Sequence, residues 1–217
     1  MMISQIARGL LALALFASAG AASAQAADSN GFVRLGLTRI AFADEGALKA
    51  NGTAIPGAEY DTDPAITATV EAGYFIASGF ALAVSGSFPV ESDNIGAGTL
   101  DGVGNLGSDD FSYFTGTAQY HFNRGGRVVP YVGAGLAYQA TWNSEDGLVS
   151  DLDIGDGHGP VVQAGVEFMA TDRFGVYVDA KKAWLKNKAR GRLGPDTITS
   201  KPELDPFILQ AGISYHF

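Results

Sequence analysis

The closing residues Phe207-Ile208-Leu209-Gln210-Ala211-Gly212-Ile213-Ser214-Tyr215-His216-Phe217 place an apolar or small side chain at every odd position, while Gln210, Gly212, Ser214 and His216 fill the even positions after Ile208. Successive side chains of a strand point to opposite faces, so a period of two makes one apolar and one polar face; a helix repeats every 3.6 residues. A second stretch carries the same pattern, with Val162, Ala164, Val166 and Phe168 set against Gln163, Gly165 and Glu167. Extended outward, the alternation predicts eight strands near residues 31–43, 65–77, 80–90, 111–123, 128–142, 159–171, 174–187 and 205–217. Their connections alternate in length: Ser78-Gly79, 123–127 and 171–173 are tight, whereas 44–64, 91–110, 143–158 and 188–204 are long. An even strand count with short turns at one end and long loops at the other is the wiring of an outer-membrane barrel.

Composition narrows the function. The chain has 217 residues, 47% apolar and 17% charged, and no cysteine, which excludes a disulfide scaffold and a cysteine-ligated metal. A formal net charge of −9 and a pI near 4.6 exclude nucleic acid as a partner. Residues 1–24 carry Arg8, an apolar run from Leu10 to Phe16, and small residues at Ala22 and Ala24 before Gln25, the signature of a secretory signal peptide cut after Ala24. Nothing after it approaches the roughly 18 consecutive apolar residues of a membrane helix. The expected organisation is therefore a signal peptide, 1–24, and one exported all-β domain, 25–217.

The choice between a soluble barrel and a membrane barrel turns on which face points inward. The more polar face carries Arg34, Glu71, Gln119, Gln139, Gln163, Glu167, Asp179, Lys181 and Gln210 against apolar or small residues on the other. Burying the polar set unpaired in an apolar core would cost several kcal/mol each by order of magnitude. Turned round, it fills the lumen of an eight-stranded antiparallel transmembrane up-and-down β-barrel whose apolar face meets lipid. Aromatic residues support this orientation: Phe80, Tyr120, Phe122, Phe174, Tyr215 and Phe217 gather at the expected periplasmic ends, and Phe88, Phe114, Trp142, Trp184 and Phe207 at the far ends. Lys182 falls on the lipid parity, where a cation at mid-depth costs roughly 2–4 kcal/mol, so it either snorkels beside Trp184 or marks a bulge.

Catalytic and metal chemistry find little support. His121, His158 and His216 are the chain's histidines, and although Ser214 shares a face with His216, no G-x-S-x-G elbow is present. No catalytic residue is assigned. Asp151, Asp153 and Asp156 alternate around Gly155 without the length or closing glutamate of an EF-hand loop, so no metal and no cofactor is expected. Five acids in each of the loops 44–64, 91–110 and 143–158 contrast with Lys188, Arg190, Arg192 and Lys201 in 188–204. These opposite fields would draw the loops into a cap or meet lipid headgroups and divalent ions, and the equally open reading is that the charges simply keep the loops soluble.

The strings Gly31-Phe32-Val33-Arg34-Leu35-Gly36, Pro130-Tyr131-Val132-Gly133-Ala134-Gly135-Leu136-Ala137-Tyr138, Gln163 to Phe168, Leu204-Asp205-Pro206-Phe207 and the closing Gly212 to Phe217 resemble the outer membrane protein W (OmpW) family over nearly the whole mature chain. The resemblance implies an eight-stranded barrel with an apolar inner channel that opens outward, a polar block in the periplasmic half, and sideways release of small hydrophobic molecules into the bilayer. Phe42, Phe111, Tyr113 and Leu185, inward and high on their strands, are the expected channel residues; Arg34, Glu71, Glu167, Asp179 and Lys181 are the expected polar plug. The implied partners are outer-membrane lipid, small hydrophobic solutes and, through the strand ending in Phe217, the outer-membrane assembly machinery. Strand four, Phe111 to Asn123, lacks the paired prolines associated with that strand in the family, and Pro89 and Pro130 interrupt other predicted strands, which leaves the wall gap without a location. The competing expectation is a structural or adhesive surface barrel with a closed lumen, acting through its loops.

Overall fold

The computed structural model describes residues 30–42, 48–200 and 205–217; the expected signal peptide, 1–24, lies outside them. Eight antiparallel strands form the wall: β1 (Gly31–Ala41), β2 (Ala65–Ala77), β3 (Phe80–Ser87), β4 (Asn105–His121), β5 (Val128–Asp146), β6 (Gly157–Met169), β7 (Phe174–Ala183) and β8 (Phe207–His216). Each pairs with its sequence neighbours, and β1 pairs with β8 in unbroken register from Phe32↔His216 to Ala41↔Phe207, so the sheet closes on itself and leaves no edge. Reciprocal bonds between Gly31 and Phe217, 2.9 Å in each direction, fasten the seam at its lower end. The tight turns fall where the alternation stops, and Gly79 closes the β2–β3 hairpin at φ 81, a left-handed conformation that favours glycine.

Parity sorts the side chains as expected. Leu37, Ile66, Leu82, Leu136, Val176 and Ile213 are exposed on the outer face, whereas Arg34, Glu71, Gln119, Gln163, Glu167, Asp179, Lys181 and Gln210 are buried inside. Around the lower rim, outward rings touch one another, with centroids 4.7 Å apart for Phe80 and Tyr120, 5.0 Å for Tyr120 and Phe122, and 4.8 Å for Phe174 and Tyr215. Phe88, Trp184 and Phe207 stand exposed at the upper level, so two aromatic belts bracket an apolar band. Of the aromatics expected there, the Trp142 side chain lies outside the described parts. Lys182 sits on a regular ladder between Val162 and Phe207, with no bulge, and its Nζ reaches up to donate to the Asp205 carbonyl at 2.5 Å; of the two expectations, snorkelling is the one observed.

The long connections depart from the expectation of loops. β4 begins six residues before the predicted Phe111, β5 continues to Asp146, and Val90–Gly98 forms a strand that pairs with both Ala58–Thr62 and β4. A separate five-stranded sheet joins Lys49–Ala50, Thr53–Ala54, Ser150–Ile154, Ala189–Leu193 and Asp196–Ser200, three connections in one structure. These segments hide from a period-two reading because aspartate, asparagine and glycine occupy both faces and bulges shift the register, as between Ser150 and Asp153. What holds them is a small core of Leu48, Ala58, Tyr60, Leu106, Val149 and Ile198, with Ile55, Leu100 and Leu152 against it. The expected attraction of opposite charges contributes less: Arg190 meets Asp153 at 2.9 Å, but both side chains are well over half exposed, where an ion pair adds little.

Candidate functional site: a plugged barrel with a capped apolar chamber

In the lower half of the lumen the five charges expected as a plug come together. Arg34 on β1 is fully buried; its Nη1 donates to Glu71 of the adjacent β2 at 2.8 Å and its Nη2 reaches across to Glu167 on β6 at 3.2 Å. Lys181 binds Asp179 at 2.8 Å and lies 3.4 Å from Glu71, so Glu71 joins the two cations. Amides add further bonds: Gln163 donates to Asp179, Gln119 to Glu71, and Lys181 to Gln210, which passes a bond on to Thr38, while Arg34 Nε and Gln163 Oε1 are left without a partner among the described residues. The guanidinium also lies between the rings of Phe32 and Tyr131, 4.5 and 4.3 Å from their centroids. Such a network is stable because every ion has an opposite charge and hydrogen-bond partners; any single deletion strands a buried charge.

The two rim histidines belong beneath this plug. His216 sits 2.9 Å from Glu167, and His121 from Gln119 at 3.1 Å, while both rings pack with Phe32 and Phe75. Ser214 Oγ has no hydrogen-bond partner among the described residues, so the serine–histidine contact considered from sequence is not formed. His158 stands apart, bridged by its backbone to Lys186. The three loop aspartates diverge: Asp153 takes Arg190, Asp156 accepts from Tyr138 and the Thr141 amide, and Asp151 sits at φ 51.

Above the plug the lining turns apolar. Ile40, Ala65, Phe111, Tyr113, Val161, Ala183, Leu185 and Ile208 form one buried cluster, with Phe42 edge-on to Phe111 at 5.7 Å. Over it lies a partly open cavity of about 60 Å³ lined by Phe42, Phe111 and Gln139 from the barrel and by Leu48, Tyr60, Leu106, Val149, Leu152 and Ile198 from the cap, with Thr62, Asn94 and Arg190 at its polar margin. Of the four expected channel residues, Phe42 and Phe111 line this chamber, whereas Tyr113 and Leu185 are packed in the cluster below it. The cap residues went unnoticed because they lie in acidic connections; Leu148-Val149 and Leu152 within such a segment were the available signal. Asp109, on the part of β4 above the bilayer, also faces the chamber. It accepts from Asn94 at 3.2 Å, and burial pushes its carboxyl up to about 6.

Beside the chamber the wall is interrupted. Ala58–Thr62 runs into β2 and β3 into Val90–Gly98 as one long hairpin, yet between the rungs Thr69↔Ser87 and Thr62↔Asn94 no ladder pair forms. Pro64 and Pro89 lie in this stretch, and neither has an N–H to donate. Two backbone bonds cross it, from the Phe88 N–H to the Ala68 carbonyl at 2.9 Å and from the Asp63 N–H to the Asp93 carbonyl at 3.0 Å, and side-chain bonds add to them, from Thr67 Oγ1 to the Phe88 carbonyl and from Ser92 Oγ to the Asp63 carbonyl. The thinly paired part of the wall thus lies between β2 and the continuation of β3 rather than in strand four, and Pro64, placed by the sequence reading in a loop, is part of it.

A closed eight-stranded barrel with an apolar belt, aromatic girdles and a polar-filled lumen defines a small outer-membrane β-barrel protein. The chain belongs to the OmpW family, whose model matches residues 28–217. It is similar to the outer membrane protein AlkL of Ectopseudomonas oleovorans, 30% identical over 172 residues that cover 79% of this chain and 75% of AlkL. It is also similar to the dibenzothiophene metabolism operon protein PahQ of Pseudomonas aeruginosa, 28% identical over 184 residues, 85% of this chain and 87% of PahQ. The crystal structure of the outer membrane protein OprG from Pseudomonas aeruginosa shares the fold, with a TM-score of 0.81 at 19% identity over 87% of this chain and 96% of OprG. The protein resides in the outer membrane.

Proposed function

We propose that this protein is a passive route for small hydrophobic molecules across the outer membrane. The observation that carries the proposal is the stacking of an apolar chamber on a sealed polar plug, beside a proline-interrupted wall. The chamber takes an apolar solute out of water, which is favourable in proportion to the apolar area covered. The plug offers such a solute only buried ions, so the straight path is closed to it. Sideways passage past Pro64 and Pro89 leads into the bilayer, and the concentration gradient supplies the direction. Phe42 and Phe111 serve as the chamber wall, with Tyr113 and Leu185 as its floor; Arg34, Glu71, Glu167, Asp179 and Lys181 serve as the plug. PahQ, named for an operon of dibenzothiophene metabolism, is a relative connected with an apolar aromatic compound.

The test is transfer of an apolar fluorescent probe from water to the lipid of DMPC nanodiscs containing the refolded barrel. Pro64→Thr with Pro89→Thr lifts the proline constraint on strand pairing in this stretch, and is expected to slow transfer severalfold while leaving the barrel folded. Transfer no faster than in empty discs, for a barrel shown to be folded, would overturn the proposal and favour the closed surface barrel.

A further inference from the structure

The chamber floor has a polar patch that passage of pure hydrocarbon does not require. Gln139 lines the chamber, is 1% exposed, and its Oε1 has no hydrogen-bond partner among the described residues. Its two cross-strand neighbours repeat the situation. Tyr113, opposite on β4, has a buried hydroxyl with no partner. Gly157, opposite on β6, has its inward face occupied by the Asn187 amide; Asn187 Nδ2 donates to the Gly155 carbonyl, but Oδ1 is unpartnered. Thr141, one inward step above Gln139, adds an unpartnered Oγ1.

Buried side-chain oxygens are normally hydrogen-bonded, and four unpaired ones on neighbouring rungs set into an apolar wall mark a place where a polar group belongs. The amide oxygens of Gln139 and Asn187 only accept, and the two hydroxyls can donate or accept, so the group that satisfies them is a donor. It is also neutral. Among the described residues no buried carboxylate belongs to the patch: Asp156, which accepts from the Thr141 amide, is exposed, and Asp109 is four residues further up β4 from Tyr113, roughly 13 Å along the strand, so an ammonium brought to the patch would lose its hydration without a buried counter-charge. A hydroxyl on an apolar body meets both requirements.

We infer that the chamber selects, among small apolar molecules, those bearing a hydroxyl head, alcohols and phenols, with the head beside the Gln139 and Asn187 amides, its one proton donated to Gln139 Oε1 and its oxygen accepting from the Tyr113 or Thr141 hydroxyl, and the apolar body against Phe42 and Phe111. The inference rests on the transport reading above and gives it a substrate class. Phenol and toluene, nearly the same in shape, separate the two. Saturable binding of phenol, toluene and benzylamine is measured on the barrel in DMPC nanodiscs against empty discs. Phenol is expected to bind about tenfold more tightly than toluene, the worth of one hydrogen bond to a buried partner, and Gln139→Leu is expected to erase that preference while toluene still binds. Should Gln139→Leu fail to fold, Asn187→Leu carries the same comparison. Equal binding of phenol and toluene by the unaltered chain would assign the polar atoms to water and overturn the inference while leaving the transport reading intact. Benzylamine binding above phenol would overturn the neutral head, and no saturable binding of any of the three would overturn both readings.

Discussion

Below the middle of the barrel, Arg34 and Lys181 lie among Glu71, Glu167 and Asp179, whereas above it Ile40, Phe111, Val161 and Leu185 pack with no ion among them. The same strands build both halves, and their outer faces are alike. A membrane constrains only the face that touches lipid, so the inward parity is free to change chemistry along a strand: β1 passes from Arg34 to Ile40 in six residues, and the chain from Asp179 on β7 to Leu185 just beyond it does so in the same distance. The consequence is mechanical. Ions that satisfy one another have few alternative arrangements, so the lower half is rigid and specific; apolar contacts are non-directional, and the upper half is roofed by short strands on long connections, the kind of structure that opens at low cost.

The largest effect should come from breaking the lower half. Arg34→Ala leaves Glu71 with Lys181 as its one cation beside the Gln119 amide and Glu167 with His216, and stranding buried charges in this way costs about 3–5 kcal/mol. Urea unfolding in lipid should register that loss, and the conductance of a planar bilayer should rise as water enters the vacated region. A loss below about 1 kcal/mol would mean that the remaining charges re-pair freely and that the two halves do not differ in rigidity.

A smaller effect sharpens the contrast from above. Asp109 is a lone buried acid of the upper half, its carboxyl pushed up to about 6 by burial. Because the closed cap binds the proton more tightly than an open one, this site's stabilisation is complete below about pH 4 and is lost as pH rises through about 6. Hydrogen exchange of cap amides, corrected for intrinsic rates, should therefore show more protection at pH 5 than at pH 7.5, by about 1–2 kcal/mol in opening free energy. Asp109→Asn should flatten that difference; an unchanged pH dependence would place its source elsewhere.

The contrast also explains what could be read in advance. Lipid imposes a strict period of two, and from it the eight strands, the turns, the lumen set and the aromatic belts were legible; Arg34, Glu71, Glu167, Asp179 and Lys181 stood on one parity before their contacts were known. Outside the bilayer the constraint ends. The cap pairs through strands as short as Lys49–Ala50, with glycines at positive φ at Gly52, Gly57 and Gly98, and its apolar residues are scattered among acids, so chamber residues such as Leu48, Tyr60 and Ile198 carried no periodic signal. The wall gap escaped for a related reason: Pro64 lies where the alternation of β2 has already stopped, and its opposition to the Pro89 region emerges only from the register of the folded hairpin.

The smallest effect concerns what holds the cap down. Loop charge alone suggested electrostatic closure, with a basic connection facing acidic ones, whereas the structure gives that role to backbone pairing among residues 49–54, 150–154, 189–193 and 196–200 and to the core around Val149 and Ile198. Arg190 and Asp153 are 75% and 62% exposed, so water screens their attraction and holding two long side chains in one geometry offsets most of the gain. Arg190→Ala should change cap protection by no more than about 0.5 kcal/mol and leave its salt dependence nearly flat. Val149→Ala removes two methyl carbons from the cap core and should cost more, about 1–2 kcal/mol. If the order were reversed, with the arginine variant loosening the cap and salt reproducing its effect, charge would govern access to the chamber as it governs the plug, and the two halves of the barrel would share one kind of lock.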